Sequence, residues 1–372
     1  MVRPQRVILP LVLAVPALVI WLLPGCGGLS SLPDVLYLRA DDAGRIQLYR
    51  QAGPDGEGRA LSAHPAGDIL DFAPSPDGQQ IVYAVAHESE GSLRIVSSDG
   101  GEDRELLSCP DAECSTPVWS PDGHRLVYER RPLDAGSVPG SPRLRWLDPA
   151  TGETLPLIAG DETPGYGARF SPNGAWLSYV SPADEGVVLY RLADGQQRLL
   201  SSRVGRPAAF SPDSRQVVTS DIVLEGFETA PPAGAAAGPT QESSAVYLYL
   251  SSLTESGERQ RLSPQAAVDD GAAAWSPDGQ WIAFGRATAD AGSGRQLWLM
   301  RPDGSESRAL TNDSGVFHGP PSWSPDGAYL LFQRYDLTNP AARPEVWQLR
   351  LADGGQTLIA PGGYLPAWLP ND

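Results

Sequence analysis

Seven polar side chains, Asp68, Glu113, Tyr166, Arg206, Asp270, His318 and Tyr364, each stand a few residues ahead of a short phrase that recurs along the chain. Gathered on one rim, they would form a mixed, partly acidic ring suited to a cation, a peptide terminus or a sugar. Dispersed, they are an ordinary solvated loop border. Acids beside His318 are also the groups that a hydrolase or lyase acting on a sugar or peptide would use to move protons. The other histidines, His64, His87 and His124, are scattered, and His124 directly follows a turn. No Gly-x-Ser-x-Gly elbow, His-Glu-x-x-His helix or phosphate-cradling Gly-Lys-Ser occurs, so no catalytic residue is assigned. The acid pairs Asp41-Asp42 and Asp269-Asp270 are of the kind that ligates a divalent cation such as calcium. Adjacent acids are common in loops, however, and no metal or cofactor is expected. Cys109 and Cys114 close a short loop, and in an oxidising compartment a disulfide is the expected state, since a zinc site would need two further donors.

The phrase that these residues precede is what must position them. It reads Pro74-Ser75-Pro76-Asp77-Gly78, Trp119-Ser120-Pro121-Asp122-Gly123, Phe170-Ser171-Pro172-Asn173-Gly174, Phe210-Ser211-Pro212-Asp213-Ser214, Trp275-Ser276-Pro277-Asp278-Gly279, Trp323-Ser324-Pro325-Asp326-Gly327 and Trp368-Leu369-Pro370-Asn371-Asp372. Its prolines are 45, 51, 40, 65, 48 and 45 residues apart, a period that suits a unit of four strands. Pro presets φ for the second position of a type I turn, Asp or Asn favours the third, and Gly accepts the positive φ that closes the hairpin. The aromatic ahead of Ser lies on the preceding strand and can fill the space between neighbouring sheets.

Apolar runs such as Ile81-Val82-Tyr83 and Leu330-Leu331-Phe332 follow the internal turns. Second runs such as Leu297-Trp298-Leu299-Met300 come next and often end in Asp-Gly, a hairpin signal. A third short run leads to the next phrase, so each unit is expected to be a four-stranded antiparallel meander. The chain enters at Val35-Leu36-Tyr37-Leu38, which matches the strand after the turn, and ends on the aromatic strand that this first unit lacks. The expectation is an all-β, seven-bladed β-propeller over residues 35–372, closed by the C-terminal strand joining the N-terminal blade. The loops opposite the Pro-Asp-Gly turns are long and irregular, the Ala/Pro/Gly-rich stretch from Glu225 to Ser244 above all, and that face is where a ligand is expected.

Composition narrows the partners. With 41% hydrophobic residues and ten Trp, the chain is too apolar for disorder. A formal charge of -17, with every basic side chain other than histidine an Arg, disfavours phosphate backbones, so no nucleic-acid partner is expected. Arg3 and Arg6 precede an apolar run from Val7 to Leu23, the layout of a secretory signal.

Leu23-Pro24-Gly25-Cys26 resembles the cleavage box of bacterial lipoproteins, which implies a signal peptide over residues 1–25, an acylated Cys26 and a tether over 26–34. The Trp-Ser-Pro-Asp-Gly repeats, each followed by an Ile-Ala-Phe-like strand, resemble those of TolB-type, WD-like bacterial propellers from Val35 onward. Together these imply a monomeric, extracytoplasmic propeller held to a membrane by lipid. Its expected role is noncatalytic binding of an envelope protein, peptide or glycan, with a propeller hydrolase or lyase as the alternative.

Overall fold

The computed structural model describes residues 32–62, 67–87, 90–133, 140–158, 164–225, 243–254, 258–264, 268–288 and 294–370. The signal segment, Cys26, His64 and most of the stretch from Glu225 to Ser244 lie outside them.

The recurring phrase builds the same turn wherever it is followed. In six copies the Ser Oγ donates to the Asp or Asn side chain two residues on, as at Ser276 to Asp278 (2.6 Å), and accepts the backbone N–H that restarts the chain, as from Trp281 (2.9 Å). The N–H of the fourth residue returns to the Ser carbonyl, as from Gly279 to Ser276 at 2.9 Å. From this turn the chain runs into strands whose side chains are buried on both faces, such as Gln80–Ala86 and Tyr329–Asp336. Burial on both faces is what a blade sandwiched between two neighbours requires.

The fold is an all-β propeller of four-stranded antiparallel blades. Five meanders stand as separate sheets. Four of these have four strands, and the fifth has its first strand broken into Val316–His318 and Ser322–Trp323. Pro320 and Pro321 sit at the break, where they have no N–H to give the ladder. The remaining eight strands form one sheet, which corrects the expectation of seven separate blades. The physical cause is a hairpin of two ten-residue strands, Gln216–Glu225 and Ser243–Ser252. This hairpin reaches the neighbouring first strand and makes one parallel pair with it, Val246 to Asp269.

Neighbouring meanders share their apolar cores. One cluster joins Leu36, Leu38 and Leu48 to Ile69, Ile81 and Tyr83, and another joins Val218, Leu248 and Leu250 to Ile282, Phe284 and Met300. The repeat Trp adds a directional bond. Its indole N–H donates to the backbone carbonyl two residues before the Ser position of the preceding repeat: Trp119 to Ala73 (3.1 Å), Trp275 to Ala209 (3.2 Å), Trp323 to Ala274 (3.0 Å) and Trp368 to Ser322 (3.2 Å).

The circle closes through strand Gly363–Trp368, which pairs antiparallel with Val35–Ala40, Trp368 opposite Val35. Leu369 N–H donates to the Asp34 carbonyl at 2.8 Å. Gly78 of the first phrase sits so close to the last that a Cβ on it would lie 2.0 Å from the Pro370 carbonyl oxygen, and its φ is +66°. Glycine is required there on both counts. Cys109 and Cys114 are joined at an S–S distance of 1.98 Å, tying strand Asp103–Pro110 to Ala112–Trp119 across two blades.

Candidate functional site

The aromatic-bearing strand lies at one edge of each meander, and the aromatic-bearing strands of several adjacent meanders lie against one another. Several carry a β-bulge at the same place, four residues before the Ser position. Thr116, Gly167, Ala272 and Leu365 all have positive φ there, between +48° and +67°. Bulges of this kind re-aim side chains and recur near functional sites.

A cavity of about 680 Å³ opens at the end of these strands away from the Ser-Pro-Asp-Gly turns. Its polar lining is Arg169, Arg206, Arg295, His318 and Ser322. Phe317, Pro207, Pro320 and Pro321 with Ala272 and Ala273 supply apolar wall. Arg206 and Arg295 share one carboxylate: Arg206 Nη1 lies 2.9 Å from Asp269 Oδ1, and Arg295 Nη2 lies 3.1 Å from Oδ2. Burial works against ionisation of Asp269, yet hydrogen bonds and charge from the two guanidinia outweigh it and hold the carboxyl below its usual range. Gly271 leaves the space that Arg206 occupies, since a Cβ would stand 2.1 Å from its Nη1. Burial lowers the basicity of Arg295, and the nearby Arg206 charge adds to the effect.

His318 is 1% exposed, and Nδ1–H donates to the Arg295 carbonyl at 3.1 Å. Burial pushes its pKa below the ordinary histidine value, so the ring is neutral at pH 7.

Arg169 lines this cavity and also a second one of about 600 Å³, bordered by Asp71, Thr116, Trp119 and Leu365. It is open to solvent, yet protein surrounds it closely enough that burial lowers its basicity. No ion pair within 4 Å engages it among the described residues, and its one hydrogen bond runs to the Ala168 carbonyl at 2.7 Å.

Asp71 stands across the second cavity. Its Oδ2 accepts the Thr116 N–H at 2.6 Å while Oδ1 is buried without a partner. Burial pushes its pKa up to about 7; the Glu129 and Glu113 charges add to this, against the Thr116 hydrogen bond and the Arg169 charge. A carboxyl whose folded-state pKa exceeds its unfolded value stabilises the fold fully at low pH and loses that contribution as pH rises from about 4 through 7. The Asp71→Asn variant is therefore expected to match the parent near pH 4 and to exceed it by about 2–4 kcal/mol at pH 8, at 1.36 kcal/mol per pH unit. Thermal melts across that range check this, and an equal shift at both ends would rule it out.

The sequence-selected residues divide between places. Arg206 and His318 share the first cavity. Tyr166 sits beside it, donating its hydroxyl to the Gly205 carbonyl at 3.1 Å. Asp270 is beneath the wall, 0% exposed and held bidentately by Arg286 at 2.7 Å through both oxygens, so its carboxylate does not face the cavity. Asp68 and Tyr364 lie together elsewhere. Asp68 accepts the Ile46 N–H at 2.9 Å, and burial with the Asp68 charge pushes the Tyr364 phenol up to about 12. Glu113 stands opposite Arg131 in its strand pair and acts electrostatically on Asp71. Among the described residues no group of three His, Cys, Asp or Glu side chains is arranged to hold a metal, Asp41-Asp42 and Asp269-Asp270 included.

Arg169, Arg295, Asp71 and Phe317 were not singled out by sequence. Arg169 had a readable signal. It stands two residues before Ser171, where the other repeats carry Ala73, Val118, Ala209, Ala274, Ser322 and Ala367. One large cation replaces a small residue at a position that lines the second cavity, as Ala73, Val118 and Ala367 also do.

No protein-family model matches the chain. Among curated proteins it is similar to "Tricorn protease homolog 1" of Streptomyces coelicolor, 28% identical over 183 residues, which is 46% of this chain and 16% of that protein. Among solved structures, TolB from Acinetobacter baumannii superimposes with a TM-score of 0.51 at 15% identity, covering 91% of this chain and 82% of that one. A prolyl endopeptidase superimposes with a TM-score of 0.60 at 15% identity, covering 91% of this chain and 50% of that one. This chain thus spans a small part of the curated relative, and the structural likenesses establish a TolB-like β-propeller fold.

Proposed function

We propose that this protein is an extracytoplasmic, noncatalytic binding propeller, lipid-attached through Cys26 after removal of residues 1–25, that holds a protein, peptide or glycan at the face bearing the Arg206–His318 cavity. We read the eight-stranded sheet as two blades fused by the Val246–Asp269 pair, so that seven repeats make a seven-bladed ring. The observation that carries the binding reading is the cavity itself. Its charged groups are three guanidinia, which suit an anionic ligand, and among the described residues no hydrogen bond links the Ser322 hydroxyl to the His318 ring as a nucleophile and base would be linked.

A second reading, a propeller hydrolase or lyase, has in its favour the peptidase names of the similar proteins above. One experiment separates the two. The protein, immobilised by its C-terminus, is exposed to solubilised envelope extract and to peptide and glycan libraries. Retention of a partner that the Arg206→Glu variant fails to retain, with no turnover, is expected. Turnover abolished by His318→Ala would replace the binding reading with the enzymatic one.

A further inference from the structure

We propose that the Arg169–Arg206–Arg295 cavity binds the C-terminal carboxylate of a peptide whose last side chain is apolar. The inference rests on the binding reading of the same cavity and names its ligand.

Charge is the first argument. Three guanidinia line the cavity and no carboxylate does. Asp269, behind Arg206 and Arg295, offsets part of this charge, and Glu129 and Asp71 act on Arg169 from farther off, so the lining itself stays cationic in a chain whose formal charge is -17. A cationic pocket set in an acidic surface focuses anions where the surroundings repel them.

Arg169 is the second argument. Arg169 is open to solvent, and its one hydrogen bond among the described residues runs to the Ala168 carbonyl, so most of its five N–H donors have no protein partner. The carboxylates that act on Arg169 from a distance, Glu129 and Asp71, make no ion pair with it within 4 Å and are bonded to backbone through one oxygen each. Glu129 Oε1 accepts the Gly167 N–H at 2.8 Å, and Asp71 Oδ2 accepts that of Thr116. The fork of Arg169 therefore keeps donors for an incoming carboxylate, which it can meet with two parallel hydrogen bonds.

The third argument selects the kind of carboxylate. An acidic sugar brings several hydroxyls that need neutral polar partners, and the cavity offers the Ser322 hydroxyl and the neutral His318 ring. What borders the guanidinia instead is Phe317, 38% exposed, with Pro207, Pro320 and Pro321. An apolar seat beside a carboxylate site matches the end of a polypeptide. A volume of about 680 Å³ holds the last two or three residues.

The test uses fluorescence anisotropy with the full mature chain and a labelled pentapeptide, Ala-Ala-Ala-Pro-Leu, carrying either a free carboxylate or a C-terminal amide. Trigalacturonate and inorganic phosphate serve as unlabelled competitors. The free acid is expected to bind at least tenfold more tightly than the amide. Arg169→Gln should weaken the acid at least tenfold and leave the weak binding of the amide unchanged. Phe317→Ser should weaken both forms, and Arg350→Gln, remote from the cavity, neither. Thermal melts of each variant confirm that the ring is intact, and Phe317→Ser keeps the test decisive should Arg169→Gln not fold. Equal binding of acid and amide, or no effect of Arg169→Gln in a folded protein, overturns the proposal. So does Arg169-dependent binding of trigalacturonate or phosphate without binding of the peptide acid. Retention of an envelope partner that depends on Arg206 but is indifferent to the free carboxylate would overturn this inference and leave the binding reading standing.

Discussion

Arg286→Ala is expected to destabilise the protein by about 3–5 kcal/mol, although Arg286 lines none of the cavities described above. The side chain is 6% exposed and grips Asp270, itself 0% exposed, through two hydrogen bonds of 2.7 Å. Its guanidinium also lies 4.4 Å from the centre of the Trp298 ring and 5.1 Å from that of Phe284. Removing the cation strands a carboxylate away from water, and the loss of that compensation, more than the loss of attraction, sets the magnitude. The argument makes a second expectation that a simple bond-counting view does not. Replacing both partners with apolar residues, Arg286→Met with Asp270→Leu, should recover most of the loss, since neither charge is then left alone. Urea titrations of the parent, the single variant and the double variant check this. A single variant within about 1 kcal/mol of the parent, or a double variant as weak as the single, would show that the pair does not behave as a buried ion pair.

The same pair shows where sequence reasoning stopped. The turn at Ser276-Pro277-Asp278-Gly279 was legible, and it pairs Trp275 with Ile282 and Ala274 with Ala283. Extended without interruption, that register would set Asp270 opposite Ala287. The bulge between Gly271 and Ala274, with Ala272 at a φ of +55°, shifts the ladder by one residue and sets Asp270 opposite Arg286. Nothing local in Asp269-Asp270-Gly271-Ala272 announces a bulge, so a carboxylate expected at the rim is instead under it. The single parallel pair between Val246 and Asp269 was hidden for a similar reason, being a contact between two repeats that no period within either one encodes.

What the repeats did encode is the turn, the aromatic ahead of it and the antiparallel meander, because each is fixed by residues within a few positions of one another. The repeats also encoded their own exception. Aligning the phrase exposes Arg169 as the charged residue among alanines, valine and serine. Comparison of repeats is therefore a better guide to the cavity lining here than a search for catalytic motifs. His318 and Arg206, chosen for their place ahead of the phrase, do share one cavity. Asp68, Glu113 and Tyr364, chosen by the same rule, lie elsewhere, since the rule locates a strand end and not the direction in which a side chain leaves it.

Ending the chain before Gly363 is expected to abolish the cooperative thermal transition altogether, a larger effect than any point substitution considered. Strand Gly363–Trp368 covers Val35–Ala40, whose first four side chains are at most 1% exposed. Its loss would lay bare a long apolar edge, the kind of surface that recruits other chains. With it would go Leu369 from the core cluster shared by the first two meanders, the Trp368 indole bond to Ser322, and the Pro370 contact with Gly78. Each of these spans a junction, so their joint loss converts a closed ring into an open row of sheets with an unprotected edge at either end. The Trp368→Ala variant separates closure from simple burial. It removes the indole bond and its apolar contacts while keeping the strand, and should cost about 3–5 kcal/mol with the transition still cooperative. Scanning calorimetry and size-exclusion chromatography of the two variants read the difference. A truncated chain that remains monomeric and melts within a few degrees of the parent would mean that the sheets are held by their pairwise cores alone, and that the ring does not depend on its last strand.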